Sequence, residues 1–252
     1  MKKIFEISTK IAIVTGASRG LGKAIAIGLA KAGANIVVTD VLDTSITVKE
    51  IKKLGRDAMG LKIDVSKKQD VEKMVQQTIT KFGKIDILVN NAGILRMGNA
   101  ENMKQEDWEK VIQVNLTGQF LCAQAVGKQM IKQKSGKIIN IASIAGLGGY
   151  AQSAPYSASK AGIILMTKTL AVEWGQHNIQ VNAICPGVFA TDMTDNFLND
   201  KQFVDMIKAR VPLGRYATPD ELVGTVIYLA SKASDYMTGH ALVIDGGWTA
   251  SL

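Results

Sequence analysis

A chain of 252 residues, 47% of them hydrophobic, suits one large α/β domain with a sizeable core. Its net charge of +8 is carried by dispersed lysines (Lys2, Lys3, Lys52, Lys53, Lys67, Lys68, Lys132, Lys134) with no arginine-rich run, which argues against a nucleic-acid partner and for a solvated basic surface. No apolar run is long enough to span a membrane. The two cysteines, Cys122 and Cys185, lie in apolar segments and read as reduced core thiols in a cytoplasmic setting. Neither forms a metal-ligand spacing with His177 or His240, so no metal site is expected.

In chain order, Met1 to Glu6 begins like a signal peptide, but Glu6 and Lys10 interrupt it and a strand follows, Ile11 to Val14. Next comes Thr15-Gly16-Ala17-Ser18-Arg19-Gly20-Leu21-Gly22, then a helical run from Lys23 to Lys31. Strand, glycine-rich turn, helix is the plan of a nucleotide-binding unit. A residue without Cβ takes positive φ and lets a phosphate approach the backbone. The unpaired N–H groups of the helix's first turn then face the anion. A purely structural turn would look the same locally, so its companions decide the matter.

Asn35 to Thr39 is a second strand, closing with Asp40. Ser45 to Leu54 is a helix, and Ala58 to Ile63 a third strand ending at Asp64. Lys68 to Phe82 has helical apolar spacing and stops at Gly83. Ile85 to Val89 is a fourth strand, running into Asn90-Asn91-Ala92-Gly93. A long helix covers 106–133, and Lys137 to Ala142 is a fifth strand. Tyr156 to Gln176 is a second long helix, and Ile179 to Ile184 a sixth strand stopped by Pro186-Gly187. The segment 189–210 is a polar loop with helical pieces, a substrate lid. A helix starts with Pro219 in its first turn and ends at Leu229. Ala241 to Ile244 is the last strand. Apolar β-branched strands alternating with helices imply a doubly wound parallel sheet of Rossmann type, in a single domain spanning 1–252. Ligands then bind beyond the carboxyl ends of the strands, where Gly16, Asp40, Asp64, Asn90, Ser143 and Pro186 fall.

Tyr156 and Lys160 share a helix face. A free tyrosine has a pKa of about 10, and a neighbouring ammonium is expected to lower it. Such a pair can exchange a proton with an alcohol–ketone couple. Ser143 ends the fifth strand on the same working face, where its hydroxyl either holds a substrate oxygen or caps the strand end. Asn115 sits inside a helix against its propensity. It either holds a water linking Lys160 to solvent or satisfies a buried backbone group.

With these residues in hand, the chain is identified as a member of the classical short-chain dehydrogenase/reductase family. The matching residues are Thr15-Gly16 through Gly20-x-Gly22, Asp64, Asn90-Asn91-Ala92-Gly93, Asn115, Ser143, Tyr156-x-x-x-Lys160, Pro186-Gly187 and Thr191. They run in order along nearly the whole chain. The resemblance implies a hydride passed between nicotinamide C4 and a carbonyl or carbinol carbon. It implies Tyr156 as general acid/base, Lys160 on the nicotinamide ribose, Ser143 orienting the substrate and Asn115 supporting a proton relay. It places Gly16, Ser18, Arg19, Gly20, Leu21, Gly22, Asp40, Asp64, Val65, Asn91, Ala92, Gly93, Pro186, Gly187, Val188 and Thr191 around the dinucleotide.

Asp40 closes the second strand and favours NAD, since a carboxylate there accepts hydrogen bonds from ribose hydroxyls and repels a 2′-phosphate. Arg19 argues for NADP. Ile144, Tyr150 and Arg96 are expected near the substrate, Arg96 either pairing with a substrate carboxylate or lying solvated. Several stretches resemble sugar-acid dehydrogenases of the gluconate 5-dehydrogenase and 2-deoxy-gluconate 3-dehydrogenase types. Some also resemble 3-oxoacyl-(acyl carrier protein) reductases. The expected activity is therefore an NAD(P)-dependent alcohol/ketone oxidoreductase, with a 3-oxoacyl-thioester reductase as the alternative. A non-catalytic dinucleotide sensor would have no need of Ser143, Tyr156, Lys160 and Asn115 together. The helices at 106–133 and 156–176 are apolar on more than one face, and with the segment ending at Trp248 they imply a homotetramer.

Overall fold

The computed structural model describes residues 4–251. Lys2, Lys3 and the start of the leader-like stretch lie outside them. Seven parallel strands form one sheet in the order β3-β2-β1-β4-β5-β6-β7. They are β1 (Ile11–Thr15), β2 (Asn35–Asp40), β3 (Ala58–Lys62), β4 (Ile87–Asn90), β5 (Gly136–Ile141), β6 (Ile179–Pro186) and β7 (Ala241–Ile244). The central strands are buried along their whole length, as β-branched runs covered on both faces must be.

Helices α1 (Gly20–Lys31), α2 (Ser45–Lys53), α3 (Lys68–Phe82), α4 (Gln105–Ile112), α5 (Gly118–Gln133) and α6 (Ala154–Trp174) alternate with the strands. Helices α7 (Asp195–Leu198), α8 (Lys201–Arg210) and α9 (Asp220–Ala230) follow β6. On one face Ile25 and Leu29 of α1 and Leu222 and Val226 of α9 pack on Val14, Val38 and Val89. On the other face Met74 of α3, Val126 and Met130 of α5 and Leu170 of α6 pack on Ile13, Leu88 and Ile138. The result is a three-layer sandwich whose sheet order reverses between β1 and β4.

Most element ends shift by one to three residues, and three differences bear on the site. The helix expected over 106–133 is one helical column interrupted by a π-helical turn at Gln113–Thr117, with Asn115 inside it. Such a turn leaves backbone groups displaced from the regular ladder and is common at functional sites. Pro219 stands just before α9 rather than inside it. The segment 189–210, expected as a polar loop with helical pieces, is mostly helical, and Ala190 N–H donates to Ala217 O at 2.8 Å and Ala217 N–H to Val188 O at 3.0 Å at its base.

One polar chain crosses the core. Thr167 Oγ1 donates to Ile163 O at 2.8 Å, so it accepts from Asn140 Nδ2 at 2.9 Å. Asn140 Oδ1 in turn accepts from Asn90 Nδ2 at 3.0 Å. Asn90 and Asn140 are directly opposite in the β4–β5 register. The chain fixes α6, and with it Tyr156 and Lys160, against the carboxyl ends of two central strands. No helix among the described residues is long and apolar enough to cross a membrane.

Candidate active site

A cleft of about 670 Å³ opens at the carboxyl ends of the strands, over the point where their order reverses. Its floor is the glycine-rich turn. Gly16 and Gly20 have φ of +62° and +54°, conformations that a side chain would strain. A Cβ on Gly16 would stand 2.8 Å from Ala92 Cα, and one on Gly22 2.1 Å from Gly16 O. The turn is stapled to the β4 turn. Asn91 Nδ2 donates to Thr15 O and Gly16 O at 2.9 and 3.0 Å, while Thr15 Oγ1 accepts from the N–H groups of Asn91 and Ala92, both at 3.0 Å. No acidic side chain occupies the first turn of α1, so its N–H groups are left for an anion. This side-chain-free cradle fits a dinucleotide diphosphate.

Asp40 lines the cleft at the carboxyl end of β2. Its carboxylate accepts from Ser18 N–H and Oγ–H at 3.0 and 2.6 Å, and from Leu42 N–H at 3.1 Å. Ser18 does not line the cleft; it pins Asp40. Asp64 and Val65 do line it. Burial raises the Asp64 pKa, but hydrogen bonds from Ser66 and the charges of Lys110 and Lys67 outweigh this and leave it lowered. Val65 packs where Gly118 has no Cβ; one built there would stand 2.8 Å from its methyl group. Arg19, Leu21, Gly93, Pro186, Gly187 and Thr191 also line the cleft. Val188 does not, and packs instead with Ile144 and Trp248.

At the other end Ser143, Tyr156 and Lys160 converge. Ser143 Oγ accepts from Ala145 N–H at 3.1 Å, capping a 3₁₀ turn. The capping reading of this serine is the one its geometry shows. Lys160 is buried, donates from Nζ to Ile141 O at 2.7 Å and lies 5.5 Å from the centre of the Tyr156 ring. The expectation that Lys160 leaves Tyr156 with a lowered pKa is corrected. Burial raises the tyrosine, with the Ser143 hydroxyl opposing. Burial also pushes Lys160 down to about 8, opposed by Cys185. Taking a phenolate out of water outweighs an ammonium that is itself desolvated and directed at a carbonyl.

Asn115 Oδ1 accepts from Ile94 N–H at 2.8 Å, and its Nδ2 donates to Ile94 O at 2.9 Å and Ser159 Oγ at 3.2 Å. It thus satisfies the buried backbone of the loop after β4, and its bonds do not reach Lys160. Ile144 and Tyr150, expected at the substrate, do not line the cleft. The cap on Ser143 turns Ile144 inward among Ile207, Val211 and Trp248, and the Tyr150 ring packs on Trp248 at 5.8 Å. The end of the cleft beside Tyr156 is lined by Leu95, Arg96 and Met97, where Arg96 was expected, and by Met193, Asn196 and Phe197 of the segment after β6. Arg96 is half exposed, and its Nε lies 3.4 Å from Asp107 Oδ1. Sequence reading missed Lys110 of α4 and Val114 of the π-helical turn, which line the cleft with Asp64 and Val65. It also missed Asp192, 3.9 Å from Arg19.

A family model described as enoyl-(acyl carrier protein) reductase matches residues 16–249. The chain belongs to the short-chain dehydrogenase/reductase family. It is 40% identical to 2-dehydro-3-deoxy-D-gluconate 5-dehydrogenase of Escherichia coli (strain K12), over 98% of both chains. It is 46% identical to 3-oxoacyl-[acyl-carrier-protein] reductase of Synechocystis sp. (strain ATCC 27184 / PCC 6803 / Kazusa), over 96% of this chain and 97% of that one. The solved gluconate 5-dehydrogenase from Burkholderia cenocepacia J2315, in complex with NADP and tartrate, superposes with a TM-score of 0.97 at 37% identity, over 100% of this chain and 99% of its own. The chain is an NAD(P)-dependent oxidoreductase of this family.

The buried lysine generates a stability prediction. Its folded pKa of about 8 lies below the free value of 10.5, so below pH 8 both states are protonated and the fold carries the burial cost. At 1.36 kcal/mol per unit that cost is about 3 kcal/mol. Between about pH 8 and 10.5 the unfolded chain holds more protons, so stability from this group rises with pH. Lys160→Met should therefore raise Tm at pH 7 by roughly 6–12 °C, and by less at pH 9. Calorimetric unfolding checks this; a variant less stable than its parent at pH 7 would overturn it.

Proposed function

We propose that this chain oxidises and reduces a secondary alcohol and its ketone on a sugar acid or polyol, with NAD as the preferred dinucleotide. The observation that carries the reading is the meeting of Ser143, Tyr156 and Lys160 at the end of a cleft whose floor is a dinucleotide cradle. When bound, the nicotinamide dinucleotide supplies or takes up the hydride. The chain's own residues handle the proton and the geometry. Ser143 holds the substrate oxygen against Tyr156, whose hydroxyl gives or takes the proton at that oxygen. The upward-shifted pKa suits Tyr156 as an acid in the resting protein. Lys160 places its positive charge under the tyrosine ring and stabilises the phenolate as it forms. Met193 and Phe197 cover the reacting end and exclude water.

Arg96 supports a sugar acid. It lies at the cleft, and its partner Asp107 is itself partly exposed, so a substrate carboxylate can compete for the guanidinium. The likeness to the E. coli gluconate-type dehydrogenase points the same way. The alternative, a 3-oxoacyl-thioester reductase, is supported by the 46% identical cyanobacterial relative. The preference for NAD rests on Asp40, because the solved Burkholderia relative carries NADP.

The assembly is read as a homotetramer. Trp108, Phe120, Leu165 and Val172 are exposed at 41%, 40%, 66% and 85% on α4, α5 and α6, too much apolar surface to leave in water. Trp248 is buried within its own chain and is no part of that surface. Buried, unpaired Cys122 and Cys185 support a reducing, cytoplasmic setting.

Three measurements test these readings. Tyr156→Phe should lower turnover by about 10²–10⁴ with dinucleotide binding retained; near-normal turnover in the folded variant would remove Tyr156 from the chemistry. Arg96→Ala should raise KM for gluconate-type acids by about tenfold or more and leave a neutral polyol unchanged. Equal effects on both would favour a solvated arginine, and activity confined to acyl thioesters would favour the alternative. Sedimentation equilibrium at micromolar concentration should give four times the chain mass, and a monomer would refute the assembly.

A further inference from the structure

We propose that Asp192 adds to the discrimination between the two dinucleotides by tethering Arg19 beside the start of α1, away from the adenosine ribose. The inference deepens the cofactor reading and takes from it only that Asp40 faces the ribose. Asp192 is a positioning residue: it acts through Arg19 rather than on the reacting atoms.

Arg19 is the residue immediately before α1, with extended backbone (φ −153°, ψ −179°), and its side chain is 64% exposed. It has two acidic neighbours to choose between. Asp40 is close in space, because its carboxylate bonds both N–H and Oγ of Ser18, the residue before Arg19. The guanidinium nevertheless pairs with Asp192, Nη1 lying 3.9 Å from Oδ1. Asp192 is the second residue of the lid-side strip that begins at Thr191, and its other oxygen lies 3.8 Å from where a Cβ on Gly20 would be. A carboxylate thus stands over the start of α1, where the N–H groups and the helix dipole favour negative charge. It holds a cation beside it.

A 2′-phosphate next to Asp40 needs a cation to offset the repulsion. Lys23, one turn along α1, is committed to Glu50 at 2.8 Å. Val41 and Leu42 supply none. Arg19 is the nearest candidate by sequence, and it reaches the ribose only by leaving Asp192. An exposed pair at this distance is weak, so the tether adds a few-fold of discrimination to the larger repulsion by Asp40. Removing the Asp192 charge also lightens the negative field over the diphosphate. That effect is common to both dinucleotides and cancels in the ratio of their affinities.

The test is calorimetric titration of the intact protein with ADP-ribose and with its 2′-phosphate, neither of which can turn over. The readout is the ratio of the two dissociation constants. Asp192→Asn, which keeps the shape and removes the charge, should shift the ratio about three- to fivefold towards the 2′-phosphate. Asp192→Glu should restore the parent ratio. In an Arg19→Ala background, Asp192→Asn should leave the ratio where Arg19→Ala alone puts it. An unchanged ratio in Asp192→Asn would overturn the proposal. So would a shift of the same size without Arg19, since Asp192 would then act by its own field. Asp40→Ala, run alongside, tests the underlying reading and should shift the ratio by about ten- to a hundredfold. If Asp40→Ala has no effect while Asp192→Asn shifts the ratio through Arg19, the ribose reading fails and the tether stands. If Asp40→Ala shifts it and Asp192→Asn does not, the tether alone fails.

Discussion

The approach of two turns governs this molecule. The glycine-rich turn after β1 and the Asn-Asn-Ala-Gly turn after β4 meet so closely that a single methyl on Gly16 would stand 2.8 Å from Ala92 Cα. Strand order reverses at that point, so the two turns would diverge if nothing joined them. Thr15 and Asn91 join them with four hydrogen bonds that use up the backbone groups of both turns. What remains unpaired is the set of N–H groups at the start of α1, and they face the cleft. The cradle exists because side chains are missing at Gly16 and Gly22 and because two side chains elsewhere do the fastening. A substitution at Thr15 or Asn91 would act on anion binding without touching the anion.

The reacting end depends on a second constraint, which is electrostatic. Lys160 must carry charge to be of use, yet it is almost wholly buried and its main polar partner is a carbonyl. A buried ammonium without a carboxylate is an unfavourable arrangement that hydrophobic packing alone would not select. It persists because α6 is held from behind by the Thr167–Asn140–Asn90 chain and from the side by Asn115 and Ser159. Those bonds leave the helix no room to turn its lysine outward. Stability is therefore sacrificed at one residue and recovered in a polar network that the sequence places on three different elements.

Much of this was legible from residue types and spacing. Glycines after an apolar strand, an aspartate closing the next one, and a tyrosine and lysine on one helix face each follow from local geometry, and their order along the chain fixed the sheet. What was not legible is what depends on who faces whom. Asn115 could be flagged as out of place in a helix, but its partners at Ile94 and Ser159 come from the π-helical turn and the packing of α6. Ile144 was expected beside Ser143 in the pocket, and a single cap hydrogen bond to Ala145 turns it the other way. The direction of the Tyr156 shift depended on weighing a nearby charge against burial, and spacing gives the charge but not the burial. Arg19 was seen as a conflict with Asp40, while the residue that decides where its charge lies, Asp192, is far off in sequence.

The same long-range packing links the lid to the chemistry. Ile144, next to Ser143, and Val188, next to Gly187, share one apolar cluster with Phe203, Met206 and Ile207 of α8 and with Trp248. The cluster touches the cleft from outside at both its catalytic and its cofactor end. A close-packed cluster transmits displacement rather than absorbing it, because a void would forfeit contacts on every side. Movement of α8 therefore cannot be independent of the position of the Ser143 hydroxyl. The bonds between Ala190, Ala217 and Val188 add to this by tying the start of the segment after β6 to the chain just before α9. Tyr150 and Trp248 pack on each other within the same cluster, behind the cleft rather than in it.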